Sequence, residues 1–328
     1  MQAFDYIRVR SIDEAVLSLR EPSTRCLAGG TNLLDLMKGD IEAPVRIVDI
    51  NRLPLREIAP TADGGLRIGA LVRNSDLANH RYVRERYPLL SRALLAGASP
   101  QLRNMATVGG NLLQRTRCYY FYDTAYTACN KRRPGSGCAA REGYNRIHAI
   151  FGASPQCVAT NPSDMSVALL ALDAVVDVRS ARGSRRIPLT DFHRLPGTTP
   201  ERDTNLDRDE LIVGVFLPPS RFGGRIDYLK VRDRASYAFA LVSVAAALRV
   251  ADGRVADARV TIGGVAHKPW RAEAAERALI GRPLNTETIA AASDAAVAGA
   301  TPLRDNAFKV DLARRTVARA LQNAGAVA

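Results

Sequence analysis

The 328-residue sequence predicts an α+β protein of two domains, and three observations carry that expectation. Over the first 115 residues, short apolar runs alternate with helical patterns, and glycine turns sit at the strand ends. Residues 116–157 interrupt this with five tyrosines and four cysteines in a stretch of little apolar periodicity. After Pro218-Pro219 the pattern changes to paired strands and C-terminal helices, which places a boundary near 220 and divides the chain into 1–220 and 221–328. A hydrophobic content of 47% suffices to bury a core in both.

Residues 4–9 read as a strand, and Ser11 with Glu14 as a capping box opening a helix through Leu19. Residues 25–28 form a second short strand, followed by a glycine turn and a helix over 33–38 that Gly39 ends. Strands are expected at 46–50 and 66–69, then helices from 75 to 95 interrupted before Pro88. A helix over 163–172 and strands at 174–180 and 210–217 complete the first domain. The second opens with paired strands from Arg225. An alanine-rich helix is expected near 239–248, a turn at Asp252-Gly253, a strand at 258–262 and two closing helices.

The formal charge of +13 raises nucleic acid as a partner, but 41 of the 46 basic residues are arginines spread through both halves. No helix-turn-helix, zinc-finger or RNP-type pattern accompanies them, so no nucleic-acid partner is expected. There is no run of roughly 18 apolar residues, and hence no expected membrane insertion, and the first residues lack the form of an export signal.

Two segments carry the pattern of an anion cradle. Leu27-Ala28-Gly29-Gly30-Thr31-Asn32-Leu33-Leu34 places two glycines between a strand and a helix, where bare backbone amides and a helix N-terminus favour a phosphate. Thr107-Val108-Gly109-Gly110-Asn111 repeats the arrangement about 80 residues on. Two such loops can grip one dinucleotide from two sides, although each alone also reads as a plain tight turn. A G-x-G-x-x-A string at 135–140 has no strand before it and is set aside.

Cys118, Cys129, Cys138 and Cys157 are separated by 10, 8 and 18 residues, without the tight knuckle usual in structural zinc sites. A [4Fe–4S] cluster suits four thiolates on well-spaced loop positions, beside the cations Lys131, Arg132 and Arg133. The residues alone leave buried free thiols and zinc open. Cys26 lies in an apolar strand and reads as an inert core thiol. Asp164, in the first turn of a helix, reads equally as a helix-stabilising carboxylate and as an acceptor for a ligand hydroxyl. His148 reads as a surface histidine, with a place beside a cluster as the alternative; no histidine forms a recognisable triad.

Together LAGGTNLL, TVGGNLLQ, NPSDM and the terminal α+β domain resemble the FAD-binding subunit of the xanthine dehydrogenase and molybdenum hydroxylase family, over nearly the whole chain. That resemblance implies a two-part FAD-binding domain of the vanillyl-alcohol-oxidase (PCMH) type followed by a small α+β C-terminal domain. By it, residues 27–34 contact the FAD pyrophosphate, Thr107, Gly110 and Asn111 the second side, and Asp164 the polar part of the cofactor. Ile212 in ELIVGVFLPP and Lys230 in YLKVRDR match positions flanking the flavin. Many relatives carry Asp where this chain has Asn32.

The cysteine segment is similar to that of the flavin subunit of three-subunit periplasmic aldehyde oxidoreductases, in which four cysteines ligate a [4Fe–4S] cluster. The implied partners are a small [2Fe–2S] subunit and a large molybdenum-cofactor subunit. The implied activity is an oxidoreductase passing electrons from molybdenum through FAD to an external acceptor, in a heterotrimer exported to the periplasm with a signal-bearing partner, or cytoplasmic if no such partner exists. No residue of this chain need then act as an acid or base. A stand-alone flavin oxidase of the same fold and a non-catalytic scaffold subunit are the alternatives.

Overall fold

A computed structural model describes residues 1–326. Three sheets organise it. The first is small and parallel, with strands β1 (Asp5–Arg8), β2 (Thr24–Leu27) and β3 (Arg46–Asp49) in the order β1-β3-β2. Ser11 accepts from the Glu14 N–H at 3.1 Å and caps the Ile12–Leu19 helix, as the capping pattern predicts. The Glu14 carboxylate reaches one residue further back, accepting from the Arg10 N–H at 2.7 Å.

The second sheet is built from β4 (Ile58–Pro60), β5 (Leu66–Gly69), β6 (Val175–Ser180), β7 (Gly183–Pro188) and β8 (Leu211–Leu217), in the order β4-β5-β8-β6-β7. Leu66, Ile68, Val176, Val215 and Leu217 turn inward onto the helices Pro88–Ala96 and Asp164–Ala171 and form the main core. Three short helices occupy 74–96, and Pro88 begins the third, where a missing N–H costs nothing.

The third sheet, with the order β12-β11-β10-β9, contains β9 (Ile226–Val231), β10 (Val242–Ala251), β11 (Arg254–Gly263) and β12 (Trp270–Arg271). Asp252 and Gly253, with φ of 51° and 71°, make the hairpin turn between β10 and β11. Three helices follow, Glu273–Leu279, Thr286–Val297 and Phe308–Ala326, rather than two.

The alanine-rich run expected as a helix near 239–248 is instead the central strand β10. Val242, Val244, Ala246 and Leu248 face the C-terminal core, while Ala245 and Ala247 face the main core. A strand buried on both faces reads as one continuous apolar run, and tertiary burial overrides alanine's preference for helix. This strand also fuses the two halves, since Phe222, Ile226 and Tyr228 join it in the main core.

Among the described residues no helix is long and apolar enough to cross a membrane.

Candidate cofactor-binding site

The glycine loop at 29–32 leaves the end of β2 and turns into the Leu33–Lys38 helix. Gly30 holds φ at 72°, a left-handed conformation open to glycine. Gly29 has a different reason: a Cβ there would lie 1.9 Å from the Met105 carbonyl oxygen, so the loop lies hard against the chain leading into the second motif. Among the described residues, the backbone N–H groups of Gly29, Gly30, Thr31 and Asn32 donate to no acceptor within the protein. Four consecutive unspent donors at a helix start are what an anion would satisfy.

The second motif is built differently. The N–H groups of Val108 and Gly109 are spent on Val72 and Ala70 carbonyls at 3.0 and 2.8 Å, and that of Gly110 on Thr107 Oγ1 at 3.3 Å. It therefore offers shape rather than free amides. A Cβ at Gly110 would meet only Thr107 Oγ1, at 3.1 Å, and otherwise fill open space.

That space is a groove of two cavities meeting at Thr31, Asn32 and Gly110, of about 370 and 550 Å³. The first is lined by residues 24–33 with Ile50, Leu71, Thr107 and Ile212, and it is bounded by the loop 201–208. The second is lined by Asn74, Asn111, Asp164, Tyr237, Phe239, Ser243 and the Gly263-Gly264 pair. Of the residues expected at the site, Leu27 to Leu33, Thr107, Gly110, Asn111, Asp164 and Ile212 line the groove. Leu34 packs over Gly30, and Lys230 lines neither cavity.

Several of these side chains have partners the sequence did not disclose. Asn32 donates to the Tyr122 hydroxyl at 3.0 Å and accepts from the Arg115 N–H at 2.9 Å, so its amide ties the loop to the cysteine segment. Asn111 accepts from Ser163 Oγ at 2.6 Å, joining the second motif to the Asp164–Ala171 helix. Asp164 accepts from the Tyr228 hydroxyl at 2.6 Å and from Lys230 Nζ at 2.8 Å. All three side chains are buried, and burial together with Asp164 pushes the Tyr228 phenol well above its ordinary range. Asp164 thus pairs across to β9 as well as facing the second cavity.

Asn74 was missed. It is 4% exposed, lines the second cavity, and its side-chain oxygen has no partner among the described residues. A buried, unpaired amide facing a cavity signals a missing ligand. The sequence Arg-Asn-Ser at a helix start carries no trace of this.

The four cysteines come together behind the glycine loop. Cys118, Cys129 and Cys157 share a small core with Leu36, Tyr120 and Phe121, and Cys138 packs against it. Cys129 and Cys138 face each other across an isolated antiparallel bridge. The Ala159 N–H donates to Cys157 Sγ at 3.5 Å. Burial pushes the Cys118 thiol up to about 12 and the Cys157 thiol to about 11, and it also raises Cys138. His148, expected at the surface, is 1% exposed and lies against Cys118. Cys26 stands apart on β2, its thiol pushed to about 12 by burial.

A buried ion network closes the far side. Asp203 contacts Arg115 at 2.6 Å, His267 at 3.4 Å and Lys131, which also donates to the Pro200 carbonyl at 2.7 Å. Burial alone would raise the Asp203 carboxyl, but these neighbours outweigh it and hold it at about 2.

Residues 2–220 match the family described as the FAD binding domain in molybdopterin dehydrogenase, and residues 227–324 the CO dehydrogenase flavoprotein C-terminal domain. The chain is 56% identical, over the full length of both, to the aldehyde oxidoreductase FAD-binding subunit PaoB of Escherichia coli K12. It is 33% identical to the glyceraldehyde dehydrogenase medium chain of Sulfolobus acidocaldarius, over 87% of this chain and 84% of that one. Among solved structures, a carbon monoxide dehydrogenase from Hydrogenophaga pseudoflava superposes with a TM-score of 0.78 at 29% identity, covering 99% of this chain and 98% of that one.

Proposed function

The chain belongs to the family of FAD-binding subunits of molybdenum hydroxylases, and on that footing we propose that it is the FAD- and iron–sulfur-bearing electron-transfer subunit of a molybdenum-dependent aldehyde oxidoreductase. The observation that carries the reading is the gathering of buried Cys118, Cys129 and Cys157 in one cluster, with half-buried Cys138 packed against it, beside Leu36 of the helix that follows a loop with four unspent amides. Its partners in this reading are a small [2Fe–2S] subunit and a large molybdenum-cofactor subunit, since relatives are named as medium chains of larger dehydrogenases.

The residues fit FAD. Gly29 to Asn32 present free donors for a pyrophosphate, and Gly110 leaves its far side clear. Leu27, Ile50, Leu71 and Ile212 give the first cavity apolar walls suited to a flat ring, while Asn74 and Asp164 bring polar groups to the second. FAD, when bound, supplies the electron exchange between iron–sulfur centres and an external acceptor; the protein fixes its place and surroundings. No cysteine or histidine is needed for attachment, so acid precipitation should release the flavin, and flavin left on the protein pellet would refute non-covalent binding.

The residues also fit a cluster. Burial raises the Cys118 and Cys157 thiols, so a cationic iron core is what would convert them to thiolates, and the Ala159 N–H that donates to Cys157 Sγ suits bound sulfur. Among the described residues, no three His, Cys, Asp or Glu side chains draw close enough to hold a single ion. Zinc at about 2.3 Å from each sulfur needs sulfurs roughly 4 Å apart, whereas four irons spread their thiolates over a wider shell. A [4Fe–4S] cluster, when bound, supplies a one-electron relay near FAD.

Metal analysis of the complex purified without oxygen tests the reading. Roughly four irons per chain beyond those of the small [2Fe–2S] subunit, with matching sulfide, supports it, and serine at any one of Cys118, Cys129, Cys138 or Cys157 should lower the iron while serine at Cys26 leaves it. One zinc per chain, or five free thiols on this chain and no metal beyond that of the partner subunits, would overturn it. Export of the assembled complex to the periplasm with a signal-bearing partner belongs to the same proposal; it rests on the resemblance of the cysteine segment, and cell fractionation tests it.

A further inference from the structure

His148 is held in one position by the C-terminal domain. Its carbonyl accepts from Lys309 Nζ at 2.9 Å and from Asn306 Nδ2 at 3.2 Å. Its own N–H donates to the Asn145 carbonyl at 3.1 Å, and the next N–H donates to that of Val158 at 2.8 Å. The Tyr120 ring, 6.3 Å away between centroids, walls one side. So fixed, the imidazole places Nε2 3.1 Å from Cys118 Sγ, and leaves Nδ1 buried without a partner among the described residues.

Which nitrogen carries the proton follows from the sulfur. A metal-bound thiolate has lone pairs and no proton, so Nε2 is attracted to it only as N–H. The opposite tautomer would set two lone pairs against each other and also bury an unsatisfied N–H at Nδ1. With the proton on Nε2, the orphaned group at Nδ1 is a bare acceptor, the lesser burden.

Resting on the reading that the four cysteines hold a [4Fe–4S] cluster, we propose that His148 donates its Nε2–H to the bound Cys118 sulfur, fixing that ligand and raising the reduction potential of the cluster. Such a hydrogen bond withdraws charge from the thiolate and therefore favours the more negative, reduced cluster. His148 acts here as a positioning residue through Cys118, with the C-terminal domain, through Lys309 and Asn306, as its support.

The test uses the intact complex. In His148→Leu, iron should stay at the wild-type content, the midpoint potential of this cluster should fall, and that of FAD should not move. In His148→Gln, whose amide N–H can reach the sulfur, part of the shift should be recovered. An unchanged cluster potential in His148→Leu with full iron would overturn the proposal. Should His148→Leu lose the cluster, pulsed EPR of the reduced wild-type complex labelled with 15N-histidine decides. One weakly coupled nitrogen on this cluster supports the proposal, while a strongly coupled one, meaning direct ligation, or none at all overturns it. A wild-type complex with no iron beyond that of the small [2Fe–2S] subunit would overturn the cluster reading and this proposal together, an outcome distinct from full iron with an unmoved potential.

Discussion

Removing the Asp164 carboxylate should unseat the two halves of the protein as well as weaken the cofactor site. Asp164 begins the Asp164–Ala171 helix of the first domain, while Tyr228 and Lys230 lie on β9 of the second. In Asp164→Ala, Lys230, whose side chain is 4% exposed, keeps only the Ala96 carbonyl at 3.2 Å, so a buried cation loses its counterion. Breaking one partner of a buried pair costs about 3–5 kcal/mol. Removing both charges, in Asp164→Asn with Lys230→Met, should recover about 2 kcal/mol or more of that, because no unpaired charge remains. Urea unfolding of the full chain followed by far-UV circular dichroism gives the three stabilities, and flavin fluorescence gives the affinity in the same samples. Weakened FAD binding with an unchanged urea midpoint in Asp164→Ala would refute the bracing role and leave Asp164 to the cofactor alone.

Gly30→Val and Gly110→Val should each lose FAD, the first because a β-branched residue resists a φ of 72° and the second because its side chain fills the groove; stoichiometric flavin absorbance after desalting would contradict this. Asn74→Leu should weaken FAD binding about 10- to 100-fold without destabilising the chain, since its amide oxygen has no protein partner to lose; equal affinity by flavin titration would refute that role. Asp203, held at about 2 against an ordinary 3.8, is a carboxylate with a lowered folded pKa, so its contribution of roughly 2 kcal/mol is present above pH 4. It should be lost as pH falls toward 2. Urea midpoints measured from pH 7 downward should show the gap between wild type and Asp203→Asn closing in that window, and a gap independent of pH would refute the linkage.

The strand and glycine-turn signals of the first domain were legible because their side chains face one core, so the burial period survives in the sequence. Strand β10 was not, because its two faces enter two cores and the alternation of Val242, Val244 and Ala246 with Ala245 and Ala247 vanishes when both sides are apolar. At the site, the glycine loops were readable as backbone devices, but the jobs of the polar side chains were not. Asn32 reads as a cradle residue, yet its amide turns toward Tyr122; Lys230 reads as a flavin neighbour, yet it lies under Asp164. Asn74 and His148 matter through atoms with no nearby sequence partner, and such relationships exist only once distant segments meet.

The cysteine segment shows why weak apolar periodicity did not mean disorder. Its backbone is satisfied by side chains instead of by a ladder. Arg132 donates to the carbonyls of Tyr120, Phe121 and Asp123 at 2.9, 2.9 and 2.8 Å, and Asn145 donates to those of Ala140, Arg141 and Gly143. Buried Lys131 reaches out of the segment to Pro200 and Asp203, at the edge of the loop that bounds the first cavity. At the segment's other margin, the Arg115 N–H and the Tyr122 hydroxyl both end on Asn32, next to the free amides. The same residues that order the segment therefore also set two walls of the FAD groove. Hydrogen bonds at Asn32 and an ion pair at Asp203 thus tie the cysteine segment to the walls of the FAD groove.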